Sequence, residues 1–179
     1  MNVVRRVLPV VGLLVLIPIV AIAAAALSAR LSDGPSVVLA GGPLVAGELF
    51  TGSEPDWAFA RDVGTIELQL LDPPQSRRIW IAEHEGRAYV ASGYMGSMIG
   101  RLWKHWPAQA ERDGRAVIRV DDRRYERTLQ RIKTGPIVEG VVAEFRRKYG
   151  FAATPADVEA GSVWLFALAP RADVNGGMR

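Results

Sequence analysis

The chain has 179 residues and a formal net charge of +3, from 22 Lys/Arg against 19 Asp/Glu. With no cysteine it has no disulfide, no thiolate chemistry and no Cys-based zinc or iron–sulfur site, and its only histidines, His84 and His105, are too few for a histidine-rich metal centre. Once an N-terminal apolar run is set aside, the length suits one globular core.

Residues 7–29 (VLPVVGLLVLIPIVAIAAAALSA) carry no charge. A bilayer needs about 20 apolar residues, and Pro9 and Pro18 are tolerated in such helices. The run is longer than the usual core of a signal peptide, which favours a retained anchor through the lipid bilayer at 7–29; Ala26-Leu27-Ser28 keeps the cleaved alternative open. Arg5 and Arg6 precede the run and Arg30 follows it. This bias predicts a single-pass protein with a cytoplasmic N-terminus and an extracytoplasmic domain. Residues 31–47 are rich in Gly, Pro and Ser and read as a linker. The expected division is therefore an anchor at 1–30, a linker and lead-in at 31–63, a barrel domain at 64–170 and a tail at 171–179.

In the lead-in, Trp57 and Phe59 read as a plug over a barrel end. Ile66, Leu68 and Leu70 alternate with Glu67 and Gln69, a strand that Asp72-Pro73-Pro74 ends. The stretch RRIWIAEHEGRAYVASG then reads as a hairpin about Glu85-Gly86. A two-residue loop puts Trp80, Ala82 and His84 on one face with Arg87, Tyr89 and Ala91, and Ile79, Ile81 and Val90 on the other. Apolar residues on both faces suit the wall of a small barrel with an outer layer. His84, between two glutamates at the turn, reads as solvated.

Residues 98–106 show helical spacing that Pro107 interrupts, and Gly114 reads as a C-cap. Residues 116–120 and 124–132 are strands about an Asp121-Asp122 turn, the second charged enough to suggest an edge or a solvent-facing position. Pro136 opens the clearest helix, with Val138, Val141, Val142, Phe145 and Tyr149 in one stripe, cations in the last turn and Gly150 as its cap. Thr154 to Asp157 reads as a capping box, and residues 162–169 (SVWLFALA) as a buried closing strand.

The segments RRIWIAEHEGRAYVASG, KHWP, RAVIRVDDRRY and EFRRKYG, in this order, resemble the split-barrel flavin-binding family that includes pyridoxamine-phosphate-oxidase-like and deazaflavin-dependent reductase-like proteins. The resemblance covers roughly residues 65–169. It implies a mainly β, α+β fold: a split β-barrel, here preceded by one transmembrane helix. It also implies an FMN or deazaflavin cofactor, an oxidoreductase activity and a homodimer. In that family the flavin phosphate lies beside the second hairpin strand and the following loop, which points to Ser92, Gly93 and Lys104 here, with Arg78 on the neighbouring strand. The chain departs from the family in having Trp106-Pro107 at an Asn-Pro position.

Independently of the resemblance, Lys104 and His105, with Arg101 a turn earlier, form a cation cluster suited to an anionic cofactor; the bland alternative is the polar side of an amphipathic helix. Met95, Met98 and Ile99 could line a slot for a flat ring, or simply pack. From residue 101 to 148 there are 13 Lys/Arg against 7 Asp/Glu. Without interleaved aromatics this is no nucleic-acid platform. No metal-ligand cluster, Walker loop, dinucleotide fingerprint or catalytic triad spacing is present, and no catalytic residue is assigned. Two functions follow: a membrane-anchored barrel that binds a flavin-type cofactor, or a cofactor-free binding or structural module.

Overall fold

The computed structural model describes residues 2–35, 40–93, 95 and 105–171, with side chains from residue 12 onward. Within them the strands are β1 Glu48–Leu49, β2 Thr65–Leu71, β3 Pro74–His84, β4 Arg87–Ser92, β5 Arg115–Val120, β6 Arg123–Ile132 and β7 Trp164–Pro170. The helices are α1 Asn2–Leu31, α2 Trp106–Arg112, α3 Ile137–Tyr149 and α4 Pro155–Glu159, with a 3-10 turn at Trp57–Arg61. The strand order is β1-β6-β5-β2-β3-β4-β7, and a further β6–β7 pairing closes six antiparallel strands into a barrel. β1 is an added strand, parallel to the start of β6. This mixed α+β barrel is the architecture that the resemblance implied.

The hairpin has the expected register: Ile81 faces Val90, Ala82 faces Tyr89 and His84 faces Arg87. Glu85 and Gly86 have φ of 51° and 72°, the paired positive values of a tight two-residue turn whose twist matches the strands. Glu83, buried, accepts from the Gly86 amide at 2.7 Å and from Arg61 Nε at 2.6 Å. Alternation then sorts the wall. Ile66, Leu68, Leu70, Ile81, Val90, Ile118, Leu129, Phe166 and Leu168 fill the barrel. Ala82, Tyr89 and Leu165 face outward and are covered by Val138, Val141, Val142 and Phe145 of α3 and Val158 of α4. α3 ends as expected, at Gly150 with φ 63°, and Thr154 and Asp157 form the capping box that opens α4.

Several expectations are corrected. The helical spacing expected over 98–106 falls almost wholly on residues outside the described ones; Pro107 itself stands in the first turn of α2, where its missing N–H costs nothing. Gly114 is not a C-cap. A Cβ there would lie 2.5 Å from the Leu129 carbonyl oxygen, so glycine is required by close backbone approach. Of the two positions expected for β6, it is not the edge, since it pairs with both β5 and β7, but the solvent-facing one: Glu126 and Gln130 are exposed on its outer face and Arg123 is exposed at its start. Arg127 is the exception, buried with its guanidinium 5.0 Å from the Trp57 ring and 2.5 Å from Glu54. Of the expected plug, Trp57 is buried at 1% exposure while Phe59 remains 43% exposed. His84 is not freely solvated; its ring covers Gly140, where a Cβ would meet Nε2 at 2.1 Å.

The stretch read as a linker is fastened to the barrel. Its described part runs over the outer faces of β3, β2, β5 and β6. Ser76 Oγ donates to the Gly42 carbonyl (2.6 Å), the Leu44 amide to Gln69 (2.8 Å), and Arg124 to the carbonyls of Leu44 and Gly47 (3.1 Å each). Arg119 bridges Glu67 at 2.6 Å and Asp33 at 2.7 Å. α1 has 30 residues, a length of about 45 Å at 1.5 Å per residue. Its span Gly12–Leu31 has a mean hydropathy of 2.5 and is only 6% buried, so it is long and apolar enough to cross a membrane and the barrel does not cover it.

Candidate functional site

A closed barrel has no free strand edge, yet this one has an opening. β4 pairs with β3 only from Ile81↔Val90 to His84↔Arg87. Beyond that, β3 stays with β2 as far as Pro74, and β4 turns to β7 through Ser92↔Trp164. The two strands part, and a groove of about 440 Å³ lies between them. One lip is Arg78, Ile79 and Trp80, the other Ala91, Ser92 and Gly93; Trp106, Phe151 and Thr65 complete it. Its size and its largely apolar lining with few polar groups are usual for a small-molecule site.

The aromatic side of the groove is built from the end of α3. Trp80 stacks on Tyr149, with centroids 4.7 Å apart and planes 6° from parallel, and meets Phe151 edge-on at 6.1 Å. Tyr149 is itself fixed: its hydroxyl donates toward the carbonyls of Gly64 and Ile81, each at 2.7 Å, and accepts from the Ile81 amide at 3.2 Å. Burial pushes its phenol above the ordinary 10.0, against the hydrogen bond from Ile81, so it remains a neutral anchor. Lys148 reaches the carbonyls of Ala60 and Ile81 at 2.7 and 2.9 Å, and desolvation holds its ammonium below the ordinary 10.5. A Cβ at Gly93 would touch the Phe151 ring at 3.0 Å, so this position keeps the second lip close to the aromatic wall.

Of the residues expected to bind a cofactor, Arg78, Ser92 and Gly93 meet at this groove. Lys104 and its neighbour Arg101 lie outside the described residues. His105 is exposed at the N-cap of α2 and does not line the groove. Arg78 is exposed at the mouth and has no ion pair among the described residues, because Glu67 opposite is taken by Arg119. Ser92 is buried and its hydroxyl donates to the Met95 sulfur at 3.6 Å, a weak bond. Met95 is packed at 3% exposure; Met98 and Ile99 lie outside the described residues. Among the described residues no group of His, Cys, Asp and Glu could hold a metal.

Trp80, Trp106 and Phe151 were not anticipated as groove residues. A signal existed for Trp80, an outward tryptophan on a strand two places from the cation. Trp106 and Phe151 come from elements far apart in sequence, and only the closure of the barrel brings them to the split. A second, polar cavity of about 540 Å³ adjoins the groove and shares Thr65 and Arg78 with it; Asp33, Glu67, Arg119, Asp121 and Asp122 also line it.

No family model matches the sequence, and neither does any curated protein. Among solved structures the chain is similar to the conserved hypothetical protein Rv2991 from Mycobacterium tuberculosis, with a TM-score of 0.47, 13% identity, and 64% of this chain and 77% of that one covered. It is similar also to a putative pyridoxamine 5'-phosphate oxidase from Listeria innocua, with a TM-score of 0.46, 11% identity and coverage of 64% and 90%. A third is the heme storage protein HutZ from Vibrio cholerae, with a TM-score of 0.44, 11% identity and coverage of 64% and 86%.

Proposed function

We propose that the chain is a membrane-anchored split barrel whose groove binds the flat ring of a flavin-type cofactor, FMN or a deazaflavin, and that it acts as an oxidoreductase on small substrates. The observation that carries this reading is the parting of β3 and β4 over an aromatic wall, with a cation at the mouth, Arg78, that has no ion pair among the described residues. The residues suit the ring: Trp80, Trp106, Phe151 and Ile79 offer apolar faces, and Gly93 holds the second lip close to Phe151. Arg78 would take the phosphate, with a guanidinium fork suited to bidentate oxygen pairs. Such a cofactor, when bound, supplies the redox chemistry; the barrel orients it and excludes water from one face. The anchor reading places the N-terminus in the cytoplasm and the barrel on the far side of the membrane.

The rival is a cofactor-free binding or structural module. Two observations favour it: Ser92 already spends its hydroxyl on Met95, and four carboxylates line the cavity beside Arg78, where they disfavour an anion. Titration of the full-length protein in detergent with FMN separates the two readings. If the cofactor reading holds, Arg78→Ala weakens binding roughly ten- to hundredfold, the equivalent of a charge-assisted contact of about 1.5–3 kcal/mol. Arg147→Ala, a surface cation paired with Glu144 on α3, leaves binding unchanged. Absence of binding by the unaltered protein, to FMN and to a deazaflavin alike, selects the module.

A further inference from the structure

The lead-in begins where α1 stops, and the two are locked together. The Gly42 amide donates to the Ala29 carbonyl at 3.1 Å and the Gly34 amide to that of Pro43 at 3.2 Å, while Gly41 bridges Ser76 on β3. A Cβ at Gly42 would lie 2.5 and 2.6 Å from the carbonyl oxygens of Arg30 and Ser32, so glycine is what allows this contact. The Val45 amide donates to Asp33 Oδ1 at 2.6 Å. Val45 is nevertheless 67% exposed and Leu31 81% exposed. Pro43 and Ala46 are exposed as well, whereas Leu44 between them is buried against the barrel. A small exposed apolar ridge therefore lies beside the last turn of the apolar helix, with Ala46 at the rim of the polar cavity.

We infer that this ridge, Pro43, Val45 and Ala46 together with Leu31, is a foot that sits in the interfacial layer of the bilayer crossed by α1. The inference rests on reading α1 as a span. Continuity with that span identifies the occupant as lipid. Asp33, which holds Val45, is two residues beyond Leu31, where the span ends, at most about 7 Å of extended chain. The interfacial layer is about 5–8 Å thick on each side of the hydrocarbon, so Val45 is tied to a residue inside it. Arg30, exposed in the last turn, is placed to lay its stem along the helix with its charge at the same level.

The foot fixes how the barrel stands. Ser76, Arg78 and Trp80 alternate along the outer face of β3, and Ser76 is the seat of the lead-in. At about 3.3 Å per residue, Arg78 lies about 7 Å and Trp80 about 13 Å from that seat, whichever way the strand runs against the membrane plane. The split thus opens at the bilayer surface.

The absence of native cysteine permits single labels on the full-length protein in phosphatidylcholine vesicles. An environment-sensitive fluorophore is placed at Val45→Cys and, as a second report on the same ridge, at Ala46→Cys. Val20→Cys in the span and Glu139→Cys on the exposed side of α3, across the barrel, are the references. Both ridge labels are expected to shift to the blue and to be quenched several-fold more by headgroup-labelled spin lipid than the Glu139 label, which should behave as in water. Ridge labels that match Glu139 while Val20 reports hydrocarbon overturn the foot and leave the span standing. A Val20 label that also matches Glu139 removes the span, and the foot with it.

Discussion

Two covers lie on the outside of the barrel, and they hold by different means. Over the hairpin end of β3 and over β4 and β7, α3 and α4 bury Ala82, Tyr89 and Leu165 under an apolar stripe. On the side of β2 and β5, the lead-in lies over Glu67, Gln69 and Ser76 and is attached by directional bonds, of which the Arg119 fork is the centre. Burial is non-directional and large in sum, so the helix layer tolerates adjustment. A net hydrogen bond is worth about 0.5–1.5 kcal/mol, so the lead-in gains little from each stitch but has one path on which all of them close.

The helix layer should break at its centre. Phe145 is fully buried and meets Tyr149 at 6.0 Å and Phe151 at 6.4 Å. Phe145→Ala should cost about 3–5 kcal/mol in denaturant unfolding, through lost transfer energy and the cavity left behind. Because Tyr149 and Phe151 also shape the groove, ligand affinity should fall with it. A loss below about 1 kcal/mol would mean that the layer collapses around the gap and is softer than its packing implies.

The lead-in should break at Arg119, at smaller cost. Its side chain is 12% exposed and bonds Glu67, Asp33 and the Ala46 carbonyl. Arg119→Ala should cost about 1.5–3 kcal/mol, since it leaves the Glu67 carboxylate, itself mostly covered, without its partner. Arg119→Lys keeps the charge but not the fork, so it should recover only part of the loss. Full recovery by lysine would show that the clamp works through charge alone.

The same contrast explains what could be read from the sequence. The α3 stripe, the Gly150 cap, the Thr154 box and the Glu85-Gly86 turn were legible because each is local: a period, a cap or a turn within a few residues. The hairpin register followed from the turn, and the inner and outer faces from the register. The lead-in was not legible. Its glycines read as linker, but at Gly41 and Gly42 they serve close backbone contact, and its side-chain bonds to the barrel run to partners 25 to 86 residues away. The site was half legible for the same reason. Arg78, Ser92 and Gly93 belong to one hairpin, whereas Trp106 and Phe151 reach the groove only through barrel closure. Arg127 was hidden by β6 itself, where a buried cation is indistinguishable by pattern from the solvated ones around it.

The smallest expected effect is also the most local, and it concerns pH. Partial desolvation raises the carboxyl of Asp33, but the amides of Val45 and Ala46 and the guanidinium of Arg119 together outweigh it and hold the group below its ordinary 3.8. A carboxylate whose pKa is depressed on folding contributes stability above its unfolded value, and loses it as pH falls through the folded one. The attachment of the lead-in to α1 should therefore be flat from neutral pH down to about 5 and weaken only below about 4. A global melt cannot isolate this, because Asp113, held down to about 2 chiefly by Arg115, and Glu111 and Asp157, also lowered, titrate in the same acid range. Exchange protection of the Val45 amide, corrected for its intrinsic rate and referred to buried Ile118 in β5, reads it directly. Protection should fall in acid relative to Ile118, and Asp33→Asn should lower it at every pH and remove the dependence. The α3 stripe carries no titrating side chain among Val138, Val141, Val142 and Phe145, so its amides should show no such step. A Val45 step near pH 6, or none at all, would mean that Asp33 does not hold the lead-in, and that this cover, too, is kept in place by packing.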